Sequence, residues 1–339
     1  MATTAAVILF VAVTAYAVLA GADFGAGFWD LVAGGAARGA RPRALIDRAI
    51  TPVWEANHVW LIFILVVLWT GFPEAFAAIF STLFVPLTLA ALGIVLRGAG
   101  FALRHVAGRL EVKRVLGAAF AISSVMTPFF MGTVVGAVAS GRVPADGNGD
   151  RLTSWCNGTS IVIGLLFVAT GAYLSATFLV ADARRAGDAG LEAYFRRRAL
   201  GAGVVCGALA VVGIVVLRDD ARYVYDGLTS SGLPLVIVSL LSGAAALGVL
   251  ARGNAIRARP FAVVAVAAVV WGWGVAQHPY LLPTSLKIDA AAAPHATLVA
   301  LVVVLAFAVA IIGPALGLLY TLHQRSALDE HAPPAGAGD

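Results

Sequence analysis

Between Thr51 and Trp69 the chain reads TPVWEANHVWLIFILVVLW, which places a carboxylate, an amide, an imidazole and two indoles at the head of an apolar run. On a helix Glu55 and His58 are three residues apart, as are Trp54 and Asn57, and Asn57 and Trp60, so each pair can share a face. An ionisable residue at the centre of a membrane span costs about 3 kcal/mol on insertion scales, so Glu55 is expected to face protein or water. Beside an imidazole, such a carboxylate can pass protons. The plainer alternative is a hydrated Glu55 near the membrane surface that complements the helix dipole. A second acidic stretch, AGADFGAGFWD, carries Asp23 and Asp30. Asp23 is flanked by Gly21, Ala22, Gly25 and Gly27, small residues that would let a neighbouring helix approach closely.

The elements that must position these groups are membrane helices. Hydrophobic residues make up 60% of the 339 and charged ones 12%, with a mean hydropathy of +0.92; soluble domains have roughly 45–50% and about 25%. A net charge of +5 raises the question of nucleic acid, but the basic residues fall in short clusters between apolar runs, the pattern of membrane topology, and no nucleic-acid partner is expected. Two cysteines, Cys156 and Cys206, make no disulfide framework and are expected to be free.

Apolar segments long enough to span occur at roughly 5–32, 51–70, 74–96, 115–138, 157–181, 199–217, 231–251, 260–277 and 296–321. The reading is an all-α polytopic membrane protein with nine transmembrane helices in one integral domain over 1–322, and a short cytoplasmic tail at 323–339 expected to be disordered. The first segment lacks a basic N-terminal region and is read as a retained span rather than a secretory signal. Alternate loops and the tail hold eighteen of the 23 Lys and Arg residues: Arg38, Arg41, Arg43 and Arg48; Arg97, Arg104, Arg109, Lys113 and Arg114; Arg184, Arg185 and Arg196 to Arg198; Arg252, Arg257 and Arg259; and Arg325. The other side holds Arg142, Arg151, Arg218, Arg222 and Lys287, with none assigned to a span. The positive-inside rule then gives an outside N-terminus and a cytoplasmic C-terminus.

With that orientation Asp23, Asp30, Glu55 and His58 all lie toward the cytoplasmic face. Titratable groups reaching from that face into the membrane are what a proton relay requires, with burial raising carboxylate pKa toward working pH. For Asp30 simple hydration at the interface is the favoured reading. Pro86 and Pro128 are expected to kink the third and fourth helices. Metal-ligand spacings such as HxxxH or CxxC are absent from the sequence, so no cofactor or metal held wholly by this chain is expected.

PVWEANHVWLI resembles the PVWDGNxVWLI signature of subunit II of cytochrome bd quinol oxidases, and GADFGAG resembles that family's GFDxGxG in the first helix. GAYLSATF (171–178) and HPYLLPTS (278–285) are similar to further family elements, in the same order and at similar spacing. The resemblance implies nine helices arranged as two four-helix bundles plus one peripheral helix, in a bacterial cytoplasmic membrane. It implies a haem-free subunit, not catalytic alone, packed against a subunit I that carries haem b and haem d, in an electrogenic complex that oxidises quinol and reduces oxygen. A structural quinone in this chain is left open. The positions matching the family's motif imply a cytoplasmic proton pathway through Glu55 and Asp23, with Asn57 and His58 beside it and with Trp54 and Trp60 lining or supporting the passage.

The match has departures. Ala20 stands where the family often has a further acid, Glu55 stands for Asp, Ala56 for Gly, and His58 for Gln or Glu. His58 is a candidate substitute for the lost acid, with a hydrogen-bonded packing role as the alternative. Two alternatives remain open from the residues: a proton-coupled secondary transporter, and a purely structural or assembly subunit.

Overall fold

In a bilayer every backbone polar group must bond within its own segment, so long apolar runs fold as helices. The computed structural model describes residues 1–51 and 54–324, with side chains other than those at 36, 54–56, 104–105, 110, 316, 319–320 and 323–324. The long helices are α1 (Ala2–Leu31), α3 (Trp54–Gly71), α5 (Phe84–Val106), α6 (Leu110–Ala139), α7 (Gly158–Arg185), α8 (Ala189–Asp220), α10 (Leu233–Ala251), α11 (Ala255–Gln277) and α13 (His295–Gln324). Between them lie α2 (Ala36–Ile50), α4 (Pro73–Thr82), α9 (Arg222–Thr229), α12 (Ile288–Ala291) and an antiparallel hairpin of β1 (Tyr280–Leu282) and β2 (Leu286–Lys287). Among the described residues eight helices are long and apolar enough to cross a membrane singly, and the bent pair α3–α4 makes a ninth when counted as one.

That bend corrects the third expected segment. The apolar stretch from 74 to 96 is two helices, and the break has a local cause. Phe72 leaves helical geometry at φ −140°, ψ 61°, and Pro73 has no N–H with which to continue the helix. The Gly71 carbonyl is taken instead by the Ala293 amide at 2.9 Å. The chain turns through 117° into α4, and the span proper starts at Phe84. Pro86 therefore sits in the first turn of α5, where its missing N–H costs nothing, and is not a mid-helix kink. Pro128 does lie inside α6. The later start also moves Arg97, assigned to a loop by the sequence, into the middle of α5. The expected tail changes too: α13 runs on to Gln324, and positions 325–339 lie outside the described residues.

The helices α1 and α7 are central. Helix α1 packs against α7, α3, α6 and α11, and α7 against α8, α6 and α11. At one end, here called the basic end, Arg41 pairs with Asp188 at 2.6 Å, Arg43 with Asp30 at 2.8 Å, and Arg184 donates to the Gly253 carbonyl at 3.0 Å. The α8 N-terminus is capped there by Asp188, which accepts from the Leu191 amide. At the opposite end Asp220 binds Arg142 and Thr159, and Tyr223 donates to the His278 carbonyl at 3.1 Å. The HPYLLPTS segment forms the hairpin at this end, entered through a cis His278–Pro279 bond. Cys156 and Cys206 are both free, as the sequence implies.

Candidate functional site

The small residues around Asp23 do what their size allows. A Cβ on Gly25 would overlap the Gly171 carbonyl, and one on Gly171 would stand 2.7 Å from the Gly21 carbonyl, so α1 and α7 cross backbone to backbone. The Trp29 indole N–H donates to the Ala172 carbonyl at 2.8 Å just below the crossing. On the other side a Cβ on Gly27 would overlap Ser124 of α6. GADFGAG and GAYLSATF, far apart in the chain, thus face one another.

Within this packing Asp23 is paired. Arg97 reaches its carboxylate through two nitrogens, at 2.9 and 3.1 Å, and donates to the Asp23 carbonyl at 3.1 Å and to the Ser124 hydroxyl at 3.0 Å. The guanidinium lies 4.8 Å from the Phe24 ring centre and 5.0 Å from that of Phe120. Only 1% of the Arg97 side chain and 2% of the Asp23 side chain are exposed. Buried ions are tolerated when paired and hydrogen-bonded in this way, and the planar guanidinium matches a carboxylate with two bonds. Sequence reasoning missed Arg97; the signal was GAGFAL, an apolar stretch that continues the helix beyond it.

Beside the pair lies a cavity of about 110 Å³ lined by α1, α2, α3 and α7. Helix α1 contributes Leu19, Ala22, Asp23 and Ala26, and α7 contributes Ser175, Phe178, Leu179 and Asp182. Both sets follow the i, i+3, i+4, i+7 spacing of a single helix face. Ala49 and Ile50 of α2 and Asn57 of α3 complete the wall. Seven residues of helix rise about 10 Å, so the cavity reaches from Asp182, near the basic end of α7, to the depth of Ser175 and Leu19. Its volume exceeds the roughly 30 Å³ share of a water in the liquid, and within a mainly apolar wall Asp23, Asn57, Ser175 and Asp182 offer water its polar partners. Asn57 is 3% exposed and donates to the Leu19 carbonyl at 3.4 Å, tying α3 to α1.

The other sequence-derived positions are distributed as follows. Glu55 and Trp54 belong to the first turn of α3, and their side chains lie outside the described residues; Ile50 and Asn57, which flank Glu55 in the chain, both line the cavity. His58 is half-buried and packs edge-on against Phe24, with ring centres 6.0 Å apart, and is not among the residues that line the cavity. Trp60 packs edge-on against Phe63 of its own helix. Asp30, six-hundredths exposed, is held by Arg43, so the hydrated state expected of it is replaced by an ion pair. Among the described residues no three His, Cys, Asp or Glu side chains are grouped as metal ligands. Ser175 and Asp182 were not singled out from the sequence; Ser175 lies within the expected span, while α7 runs four residues past its expected end and carries Asp182 onto the cavity face.

Known proteins share both the sequence and the fold. The family model described as cytochrome bd terminal oxidase subunit II matches residues 1–323. A Bacillus subtilis (strain 168) protein assigned as a cytochrome bd menaquinol oxidase subunit II is 26% identical over 218 residues, covering 63% of this chain and 61% of that protein. A cytochrome bd ubiquinol oxidase subunit 2 of the same organism is 28% identical over 131 residues, 38% of each chain. The chain thus aligns with less than two thirds of the length of these curated relatives. A chain in the structure of bd oxidase from Geobacillus thermodenitrificans superposes with a TM-score of 0.81 at 25% identity, covering 95% of this chain and 98% of that one.

Proposed function

The chain belongs to the cytochrome bd terminal oxidase subunit II family, and from that membership we propose that it works as the haem-free subunit II of a quinol:oxygen oxidoreductase in a bacterial cytoplasmic membrane. The observation that carries the reading is the family match over residues 1–323, joined to a fold shared over nearly the whole length with a bd oxidase chain. Subunit I is the partner; it holds haem b and haem d, oxidises quinol and reduces oxygen to water, and this chain is not catalytic alone. The N-terminus is outside and the basic end is cytoplasmic. Moving Arg97 into a span leaves the loop asymmetry on which that orientation rests intact. Two four-helix bundles, α1, α3, α5, α6 and α7, α8, α10, α11, with α13 peripheral, are supported by the packing of α5 on α6, α1 on α3 and α6, α7 on α8, and α10 on α11.

Within the complex this subunit supplies a water-bearing path for protons consumed in oxygen reduction. Glu55 and Asn57 stand at the start of α3, and Asp23 at the far wall of the cavity. Arg97 keeps the Asp23 carboxylate fixed in place, so its role is to orient water in the cavity through its remaining lone pairs. His58 supports the α1–α3 contact beside the path; Trp54 and Trp60 line the passage. A solute transporter is the weaker reading, because the fold and the family match a bd oxidase chain over almost all of their length. The test is quinol-dependent oxygen uptake by membranes that contain subunit I with and without this chain. Uptake that requires the chain supports the function, and equal uptake in its absence contradicts it.

A further inference from the structure

A cavity that ends on a buried carboxylate serves proton uptake only if something brings protons to its mouth. Of the two carboxylates in the cavity lining, Asp23 and Asp182, the one near the basic end is Asp182 of α7. Asp182 lines the cavity, yet 20% of its side chain is exposed, against 2% for Asp23. Its Oδ1 accepts from Arg259 at 2.7 Å and from Arg185. Both arginines bond the same oxygen, and no bond falls on Oδ2 among the described residues. Arg259 uses the same nitrogen to donate to the Phe178 carbonyl at 2.5 Å and places its guanidinium 5.3 Å from the Phe178 ring centre. Since Phe178 also lines the cavity, Arg259 grips two wall residues at once. Its Nε–H is buried without a partner among the described residues. A buried donor in that state calls for a water.

A purely structural clasp between α7 and α11 would need none of this. Arg184 already ties the α7 end to the Gly253 carbonyl. What sets Asp182 apart, among the described residues, is a carboxylate oxygen left unbonded on a residue that lines the cavity, held by an arginine whose buried Nε–H lacks an acceptor.

We propose that Asp182 is the proton-collecting carboxylate at the cytoplasmic mouth of this cavity, and that Arg259 is the positioning residue that holds it across the opening. The inference rests on the proton-uptake reading above. A proton from the aqueous side adds to Oδ2 of Asp182 and converts the carboxylate to the acid. The acid then gives a proton to water in the cavity and returns to the carboxylate, and the water passes it toward Asn57 and Asp23. Arg259 keeps its own proton throughout. Nothing is oxidised or reduced in these steps.

The test uses the oxidase complex purified with its subunit I and reconstituted into vesicles, with quinol turnover and proton uptake read together by an oxygen electrode and a pH dye. Asp182→Asn is expected to assemble with an unchanged haem spectrum and to lower both rates at least about tenfold, while Asp182→Glu keeps most of each. Asp182→Asn turning over and taking up protons as the parent does overturns the inference. Should Asp182→Asn fail to assemble, Ala49→Leu carries the test, because it fills the cavity from the half-buried α2 wall and leaves Asp182 and both arginines in place. Uptake slowed about tenfold by that filling upholds the inference, and unchanged uptake overturns it. A parent complex with no quinol oxidation refutes the wider function; a parent that is active and slowed by Glu55→Gln but not by Asp182→Asn refutes the intake role alone.

Discussion

The Asp23 carboxylate lies 2.9 Å from the Arg97 guanidinium in the middle of the helix packing, with 2% and 1% of the two side chains exposed. Each ion is tolerable there only because of the other. Removing one partner of a buried pair typically costs about 3–5 kcal/mol, whereas replacing both with apolar groups of similar volume is often close to neutral. Arg97→Met is therefore expected to reduce recovery of assembled complex and lower its melting temperature in detergent. The double variant Asp23→Leu, Arg97→Met should recover part of that loss. A double variant worse than the sum of the singles would contradict the pairing account.

The α1–α7 crossing should be equally intolerant of volume. Gly25→Val places side-chain atoms where the Gly171 carbonyl stands, so the helices must separate. The expected outcome is loss of assembled, membrane-integrated protein on native gels. Gly313→Val is the control: an added Cβ there meets nothing within 4 Å, and assembly should be unaffected.

How much of this was legible in the sequence depends on what each residue needed to reveal itself. The glycines around Asp23 announced a close helix contact because size alone decides it, and the partner segment GAYLSATF was itself visible as a motif. Arg97 was hidden by helix register: hydropathy does not separate Pro73–Thr82 from the span that follows, and an error of ten residues turns a mid-helix arginine into a loop one. Asp182 was hidden because a helix that leaves the membrane keeps its periodicity after its hydropathy has ended. Its spacing from Ser175, Phe178 and Leu179 held the signal. Glu55 is a different case. Its type and neighbours point to chemistry, while its side chain lies outside the described residues.

Loading of the path at Glu55 predicts a kinetic loss without a structural one. Glu55→Gln keeps shape and removes titration, so the purified complex should retain its haem spectrum and lose at least about tenfold in quinol turnover. Turnover equal to the parent would show that the α3 carboxylate is a surface group.

At the basic end Asp188 offers a pH test of the fold. The Leu191 amide and the Arg41 guanidinium hold its carboxyl below the usual carboxylate range. A depressed folded-state pKa gives stability that is present above the unfolded value, about 3.9, and is lost as pH falls through the folded value. Asp188→Ala should therefore melt below the parent at pH 7, with the gap closing as the pH drops under about 4. A gap that is constant across that range would mean that the carboxylate charge contributes nothing.

The most direct test of the central claim is to purify this chain by an affinity tag from its native host in mild detergent, then record the reduced-minus-oxidised spectrum and the quinol-dependent oxygen uptake of the product. The account predicts b- and d-type haem signals arriving with a second polytopic subunit, together with oxygen uptake driven by quinol. A chain that purifies alone, colourless and inert toward quinol would contradict it.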